Sequence, residues 1–552
     1  MKHFDWKRAR GALALALAAL LGLTGCASGN GAGSTAQAKA GEEIADTSDF
    51  LRLTGQEPDT ADPQCTGDYY SIPLNVFDRL VEVRTGPDGT GGFVPSLADS
   101  WEVSGDGLVY TFHLHEGVTF SNGSPLTASD VEYTLIRALT HPDSRMGDIG
   151  EFLLGAQELT EGKTQELEAF RALGDYDFTI TLSAPYAAFL AMLSIPGYSI
   201  LDAETTAAAG DGFGKDPAVT VGTGPFVFKA WNPGSELILA ANPDCWSGAP
   251  GCGGIVMEFV TDAEARRLMF ETGKLDVLDL ESLGNDAEFF LRGDIYQDRL
   301  CYGNRVGISY IALNEAVEPL NDVRVRRALQ LALDRNAILM NVYGGRGVLE
   351  NGIYPHGLIG FDPELPEIPF DPQKASALLA EAGYPDGFEL ALTVDDVSSF
   401  YSREILELAA SMWGKLGVRT TVRTLTEEEF WEARRNGEIA CYASRFSVDY
   451  NDPDAIIYLF FGSEENARSR SLFYDNADVI DRVAGACSIV DERERLAEYR
   501  ELERVIVQED CAWIPLFSNR HYFIVNERVR NFRVSWNGWT DTQYRDVCLE
   551  DR

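Results

Sequence analysis

Histidine is scarce in this 552-residue chain, six in all, and positive charge is in the minority: 46 lysines and arginines face 86 aspartates and glutamates. Each shortage excludes something. A formal charge of −40 argues against a nucleic-acid partner, because phosphate backbones demand clustered Lys and Arg. An acidic body instead keeps an exported surface soluble and steers cationic groups toward it. No H-E-x-x-H, no G-x-S-x-G and no nucleophile signature around a cysteine occurs, so hydrolytic chemistry has no motif to rest on. Residues 210–215 (GDGFGK) imitate a phosphate-binding loop, yet Ala209 stands where its first glycine belongs and Asp216 where its hydroxyl residue belongs. C-x-x-C is absent and no histidine lies near the cysteines, which leaves zinc without a ligand set. His113 and His115 share one strand face, but two ligands without a third make no metal site. No cofactor, no metal and no enzymatic activity are expected.

Long apolar runs are missing as well, with one exception. Residues 11–23 are apolar and follow the basic Lys2, Lys7, Arg8 and Arg10. At about 13 residues the run is too short to span a bilayer and reads as the core of an export signal. It ends in Leu23-Thr24-Gly25-Cys26, with Ala27-Ser28-Gly29-Asn30 after it. This resembles the bacterial lipobox, which implies that Cys26 is acylated and becomes the first mature residue, a stable membrane anchor facing the exterior or periplasm. Residues 27–47 are small, polar and Gly-rich, a flexible tether. Roughly 505 residues follow, enough for two or three domains. Setting Cys26 aside leaves Cys65, Cys245, Cys252, Cys301, Cys441, Cys487, Cys511 and Cys548. An even set in an exported chain suggests disulfides, and Cys245 with Cys252 is the expected pair, stapling one loop.

The periodicities are mixed. Residues 109–114 alternate, with Tyr110, Phe112 and Leu114 on one face of a half-buried strand. Thr127-Ala128-Ser129-Asp130 then reads as a helix start, with Val131, Leu135, Ala138 and Leu139 at helical spacing. Val325, Ala328, Leu329, Ala332 and Leu333 form another helical stripe. Asp371 and Pro372 open a third helix, which Gly383 stops. Residues 494–508 predict a charged amphipathic helix, and 513–517 a strand. Strands and helices alternating over this length predict an α/β fold with ligand in a cleft between lobes.

Ordered motifs carry a family resemblance. They are residues 95–103 (PSLADSWEV), 110–118 (YTFHLHEGV), 120–131 (FSNGSPLTASDV), 222–226 (GTGPF), 242–244 (NPD) with Trp246, 321–329 (NDVRVRRAL), 370–375 (FDPQKA) and 449–453 (DYNDP). Together, over about residues 48–535, this set resembles the family 5 extracellular solute-binding proteins, the peptide/nickel-binding lipoproteins of ABC importers. The resemblance implies a periplasmic-binding-protein-like α/β fold with two main lobes, a hinge, a ligand cleft and an extra third lobe. Mapped here, lobe I takes 48–86, 218–302 and 526–552, lobe II takes 87–217, and lobe III takes 303–525.

The resemblance also implies a site and partners. In peptide-binding members an aspartate of the motif around 449–453 takes the ligand's amino group, while strand backbone pairs with the extended peptide. That role falls on Asp449. A buried carboxylate opposite an ammonium fixes register through a charge-assisted bond. Phe446, Tyr450 and Asn451 complete this wall, and Arg445 stands where the family usually has glycine, either narrowing the cleft or meeting a ligand carboxylate. Tyr69 and Tyr70 match the lobe I segment across the cleft. The implied partners are a peptide and membrane permease subunits, the chain itself acting as a monomer. Nickel chelates, oligosaccharides or opines remain alternative ligands, and an exported hydrolase the alternative of another class.

Overall fold

A computed structural model describes residues 46–67, 70–86, 90–398, 401–538 and 542–550. The export signal, Cys26, most of the tether and Tyr69 lie outside the described residues. Ala45–Arg552 makes one compact unit. Among the described residues, no helix is long and apolar enough to cross a membrane.

Three larger sheets organise this unit. In the first, Phe50–Thr54 runs parallel to Gly254–Glu258, with Glu236–Ala241 and Phe226–Asn232 following antiparallel. Leu51, Leu53, Phe226, Phe228, Leu237 and Leu239 bury its inner face. In the second, Ala98–Val103, Val109–Leu114, Asp177–Thr181 and Phe170–Ala172 lie side by side. Tyr110, Phe112 and Leu114 point into its core as their alternation predicts. The helix Ala128–Thr140 packs there, opened by a complete capping box between Thr127 and Asp130.

The third sheet is built on Trp513–Val525. Its first half pairs with Gly307–Leu313, and its second with Val277–Asp279 and Leu300–Asn304. Cys441–Ser447 lies beyond Gly307–Leu313. Every residue of Gly307–Leu313 is buried, because the strand feeds two cores at once. Ile308, Tyr310 and Ala312 enter one, and Ile311 and Leu313 the other, the period-two alternation of a strand covered on both faces.

The strand expected over 513–517 thus runs on to Val525. Its polar continuation hides it from apolar patterning, yet Ser518 and His521 both find partners. Ser518 donates to Glu350 at 2.5 Å, and the His521 ring meets Asp279 at 2.7 Å and the Gly538 carbonyl at 2.7 Å. The helices expected at 325–333 and after Asp371 form as Val323–Leu331 and Pro372–Glu381, and Asp371 accepts the Lys374 amide at 2.9 Å. The charged helix is Glu492–Arg504, ending in a π turn over Val505–Glu509.

The expected disulfide is corrected. Cys245 and Cys252 are both free thiols, as are the other six cysteines of the described body. Their side chains leave the loop in different directions. Cys245 Sγ turns to Ser247 Oγ at 3.3 Å and the Thr223 carbonyl, whereas Cys252 Sγ turns to the Gly254 carbonyl at 3.4 Å. Short spacing brings two cysteines near each other but does not aim them.

Candidate functional site

The segment 74–83 reads LNVFDRLVEV, apolar except at Asn75 and at the three charges Asp78, Arg79 and Glu82. All three charges are buried. Asp78 accepts from Thr223 Oγ1 at 3.0 Å, Trp246 Nε1 at 2.9 Å and Arg545 Nη2 at 3.1 Å. One carboxylate therefore ties together two of the recurrent motifs and the C-terminal segment. The glycines of 222–226 let that chain cross the short helix at 73–76: a Cβ on Gly222 would fall 2.0 Å from the Val76 carbonyl oxygen. Glu82 accepts from Arg79 Nη2 and Ser96 Oγ at 3.3 Å and from Gln543 Nε2 at 3.2 Å. Burial works to raise its pKa, but Arg79, Arg545 and Arg84 together hold it below the usual carboxylate range.

Beside this charged wall lies a cavity of about 970 Å³, a size typical of small-molecule sites. The stretch from Tyr70 to Gly86 lines it with residues near Met146 and Tyr198, the strand at 301–304, Asp449 with Tyr450, and residues 532–537 and 542–546. Asp449 is exposed there, just past the end of Cys441–Ser447, and Tyr70 is buried in the opposite stretch. The Tyr450 hydroxyl meets that of Tyr186 at 3.0 Å, and Tyr186 donates to Asp454 at 3.0 Å. Tyr499 donates to the other oxygen of Asp454 at 3.1 Å. Burial, with Asp452 alongside, pushes Asp454 up to about 6. Asp452 itself is gripped by Arg495 Nη1 at 2.7 and 2.8 Å.

The other sequence-predicted residues sit behind this wall rather than in the cavity lining. Phe446 packs edge-on against Phe460, with ring centroids 5.4 Å apart. Asn451 accepts the Ile359 amide at 2.9 Å and donates to the Gly91 carbonyl at 2.7 Å, so its side chain ties two segments to the 449–453 loop. Arg445 opposes Ser309 in the sheet, near Tyr343 and Arg305, and burial lowers its pKa. Tyr69 lies outside the described residues.

His113 and His115 each meet their own carboxylate, Asp177 at 2.6 Å and Asp99 at 3.1 Å. Among the described residues no group of three or more His, Cys, Asp or Glu could hold a metal. Sequence reasoning missed Arg79, Glu82 and Arg545. The available signal was charge inside an otherwise apolar stretch, which burial makes costly unless the charges are paired.

The model of the bacterial extracellular solute-binding proteins, family 5 (middle), matches residues 92–468. Heme-binding protein A of Haemophilus influenzae is 29% identical over 540 residues, 95% of this chain and 96% of that one. The dipeptide-binding protein of Escherichia coli is 28% identical over 488 residues, 85% of this chain and 88% of its own. Among solved structures, HbpA2 of Haemophilus parasuis superposes with a TM-score of 0.79 at 27% identity, covering 91% of this chain and 99% of that one. These neighbours share the multi-lobe α/β fold of periplasmic binding proteins and solute binding as their role. On a family match spanning most of the body and relatives aligned nearly end to end, the chain belongs to the bacterial extracellular solute-binding proteins, family 5.

Proposed function

We propose that this chain is the capture subunit of an ABC importer for short peptides, held to the membrane by acylated Cys26 and delivering its ligand to permease subunits as a monomer. One observation carries the reading. The cavity lining includes an exposed carboxylate, Asp449, together with the buried Arg79 and the more accessible Arg84 and Arg545. Asp449 takes the ligand's amino group, and Tyr450 and Tyr70 flank it. Phe446 and Asn451 brace the loop from behind, and Arg445 stiffens the strand that leads to it. In this proposal lobe I (48–86, 218–302, 526–552) and lobe III (303–525) close on the peptide, with lobe II (87–217) at the side. The chain crosses between lobes I and III near 303 and 525, which makes those crossings the hinge.

Heme, named for the Haemophilus influenzae relative, is the second reading, favoured by Met146 and Met192 in the lining. A thioether can serve as an axial ligand. Calorimetry with the full chain in mild detergent separates the two. A tripeptide pool binds, N-acetylation weakens it at least about tenfold, and Asp449→Asn does the same to the free peptides. Heme binding with a Soret shift and no peptide heat overturns the peptide reading. Equal affinity for acetylated and free peptides overturns the role of Asp449.

A further inference from the structure

Resting on the peptide reading above, we propose that the cavity selects peptides carrying a large apolar side chain, which seats on a ledge built around Met146. Charge gives the lining no preference of its own. Among the described residues, its five arginines are matched by its three aspartates together with Asp78 and Glu82 behind them, where Arg545 meets Asp78, and Arg79 and Arg84 meet Glu82. A ligand side chain of either sign therefore finds no surplus of the opposite charge. The apolar part of the lining has no such internal match. Leu74, Val83, Met146, Ile195 and Pro196 all line the cavity, and all are only half-buried. Apolar surface gathered in a concavity is the mark of a ligand groove.

These five come from separate segments that the fold sets side by side. The helix Phe189–Leu193 contacts the strand Val81–Thr85, which carries Val83. The turn Pro196–Tyr198 contacts the helix Pro73–Val76, which carries Leu74. Met146 lies over Gly197, where a Cβ would fall 2.1 Å from its sulfur. The bare glycine thus gives the methionine its place. The Tyr198 hydroxyl donates to the Met146 carbonyl at 3.1 Å, which pins that residue's backbone. The Ser194 hydroxyl donates to the Ala191 carbonyl at 2.6 Å, so these two hydroxyls are engaged locally. Met146 and Ile195 rest on the core beneath, to which the buried Met192 belongs. What they leave open toward the cavity is apolar, and an apolar ligand group covers it without desolvating anything polar. Methionine suits such a wall, because its unbranched, polarizable side chain adapts to neighbours of different shape. The ledge therefore favours size and apolarity over one particular outline.

The test is calorimetry of the full chain in mild detergent with Ala-Ala-Ala, its three single-leucine variants, and the best of these with glutamine in place of leucine. The best leucine peptide should bind about ten- to a hundredfold tighter than Ala-Ala-Ala, with a more negative heat-capacity change. Glutamine, similar in size but polar, should gain about threefold or less. Added salt should leave the leucine gain in place, because no charge takes part in it. In Met146→Ala, and in Gly197→Ala, which displaces the Met146 side chain, the ratio of leucine to alanine affinity should shrink by about threefold or more. Thermal melts establish that each variant folds; if one does not, the other decides, and the peptide series on the native chain needs neither. Leucine peptides no tighter than Ala-Ala-Ala, an equal gain from glutamine, or a leucine gain untouched in a folded variant overturns the proposal and leaves the peptide reading standing. Failure of every peptide to bind overturns both.

Discussion

Replacing Arg495 by Met should destabilise the protein in a way that depends steeply on pH. Arg495, on the helix Glu492–Arg504, grips Asp452 at 2.7 and 2.8 Å, and the two side chains are 4% and 2% exposed. Met keeps the length of the aliphatic stem and removes the counter-ion. A buried pair broken from one side typically costs about 3–5 kcal/mol, because the surviving charge is left uncompensated. Protonation sets a ceiling on that cost. Neutralising an aspartate of unperturbed pKa near 3.9 at pH 7 takes about 4 kcal/mol, and at pH 5 only about 1.5 kcal/mol. The sign follows from proton counting. In the variant, folded Asp452 holds a proton that the unfolded chain has released, so stability falls as pH rises from about 4 toward the raised folded value. Urea unfolding, followed through Trp413 and Trp513, both fully buried, reads the relevant region. The loss should be about 4 kcal/mol at pH 7, about 1.5 kcal/mol at pH 5, and largely reversed by adding Asp452→Asn. A loss below about 1 kcal/mol at pH 7, or one that does not shrink at pH 5, would refute the reasoning.

Other expectations follow the same physics. Burial lifts Glu503 to about 8, even though it accepts the amides of Ile353 and Tyr354. A raised acid gives stability that is present at low pH and lost as pH climbs from about 4.5 to 8, so Glu503→Gln should flatten that slope by up to about 1.4 kcal/mol per pH unit; an unchanged slope would show that Glu503 does not titrate there. Gly222→Ala should cost about 1–3 kcal/mol, because its Cβ would meet the backbone oxygen of Val76 at 2.0 Å and backbone cannot swing aside; a thermal melt equal to the native chain's would show that the crossing can widen. Asn451→Ala should remove the ties to Gly91 and Ile359 at about 1–3 kcal/mol, and weaken peptide binding less than Asp449→Asn does, as isothermal titration would measure.

Local signals alone determine several elements. Thr127 with Asp130 opens one helix and Asp371 with Pro372 another, because caps and first-turn residues act within four positions of themselves. The alternation of Tyr110, Phe112 and Leu114 gave the buried face of a strand. The ordered motifs pointed to the family that the matches then established. The reach of local rules ended where partners are distant in sequence. Ser518 and His521 look like loop residues until Glu350 and Asp279 are seen to receive them.

The site divides along the same line. The 449–453 motif located one wall of the cavity through Asp449 and Tyr450. Only the tertiary structure showed that Phe446 and Asn451 pack behind that wall, and that Cys245 and Cys252 aim apart. Only the tertiary structure set Arg545 beside Asp78 and Gln543 beside Glu82, from segments more than four hundred and fifty residues apart. Sequence determines which residues can cap, alternate or pair within a few positions. Which charges share a buried wall is decided by the fold, because burial makes every unpaired ion costly and only the folded chain supplies its partner.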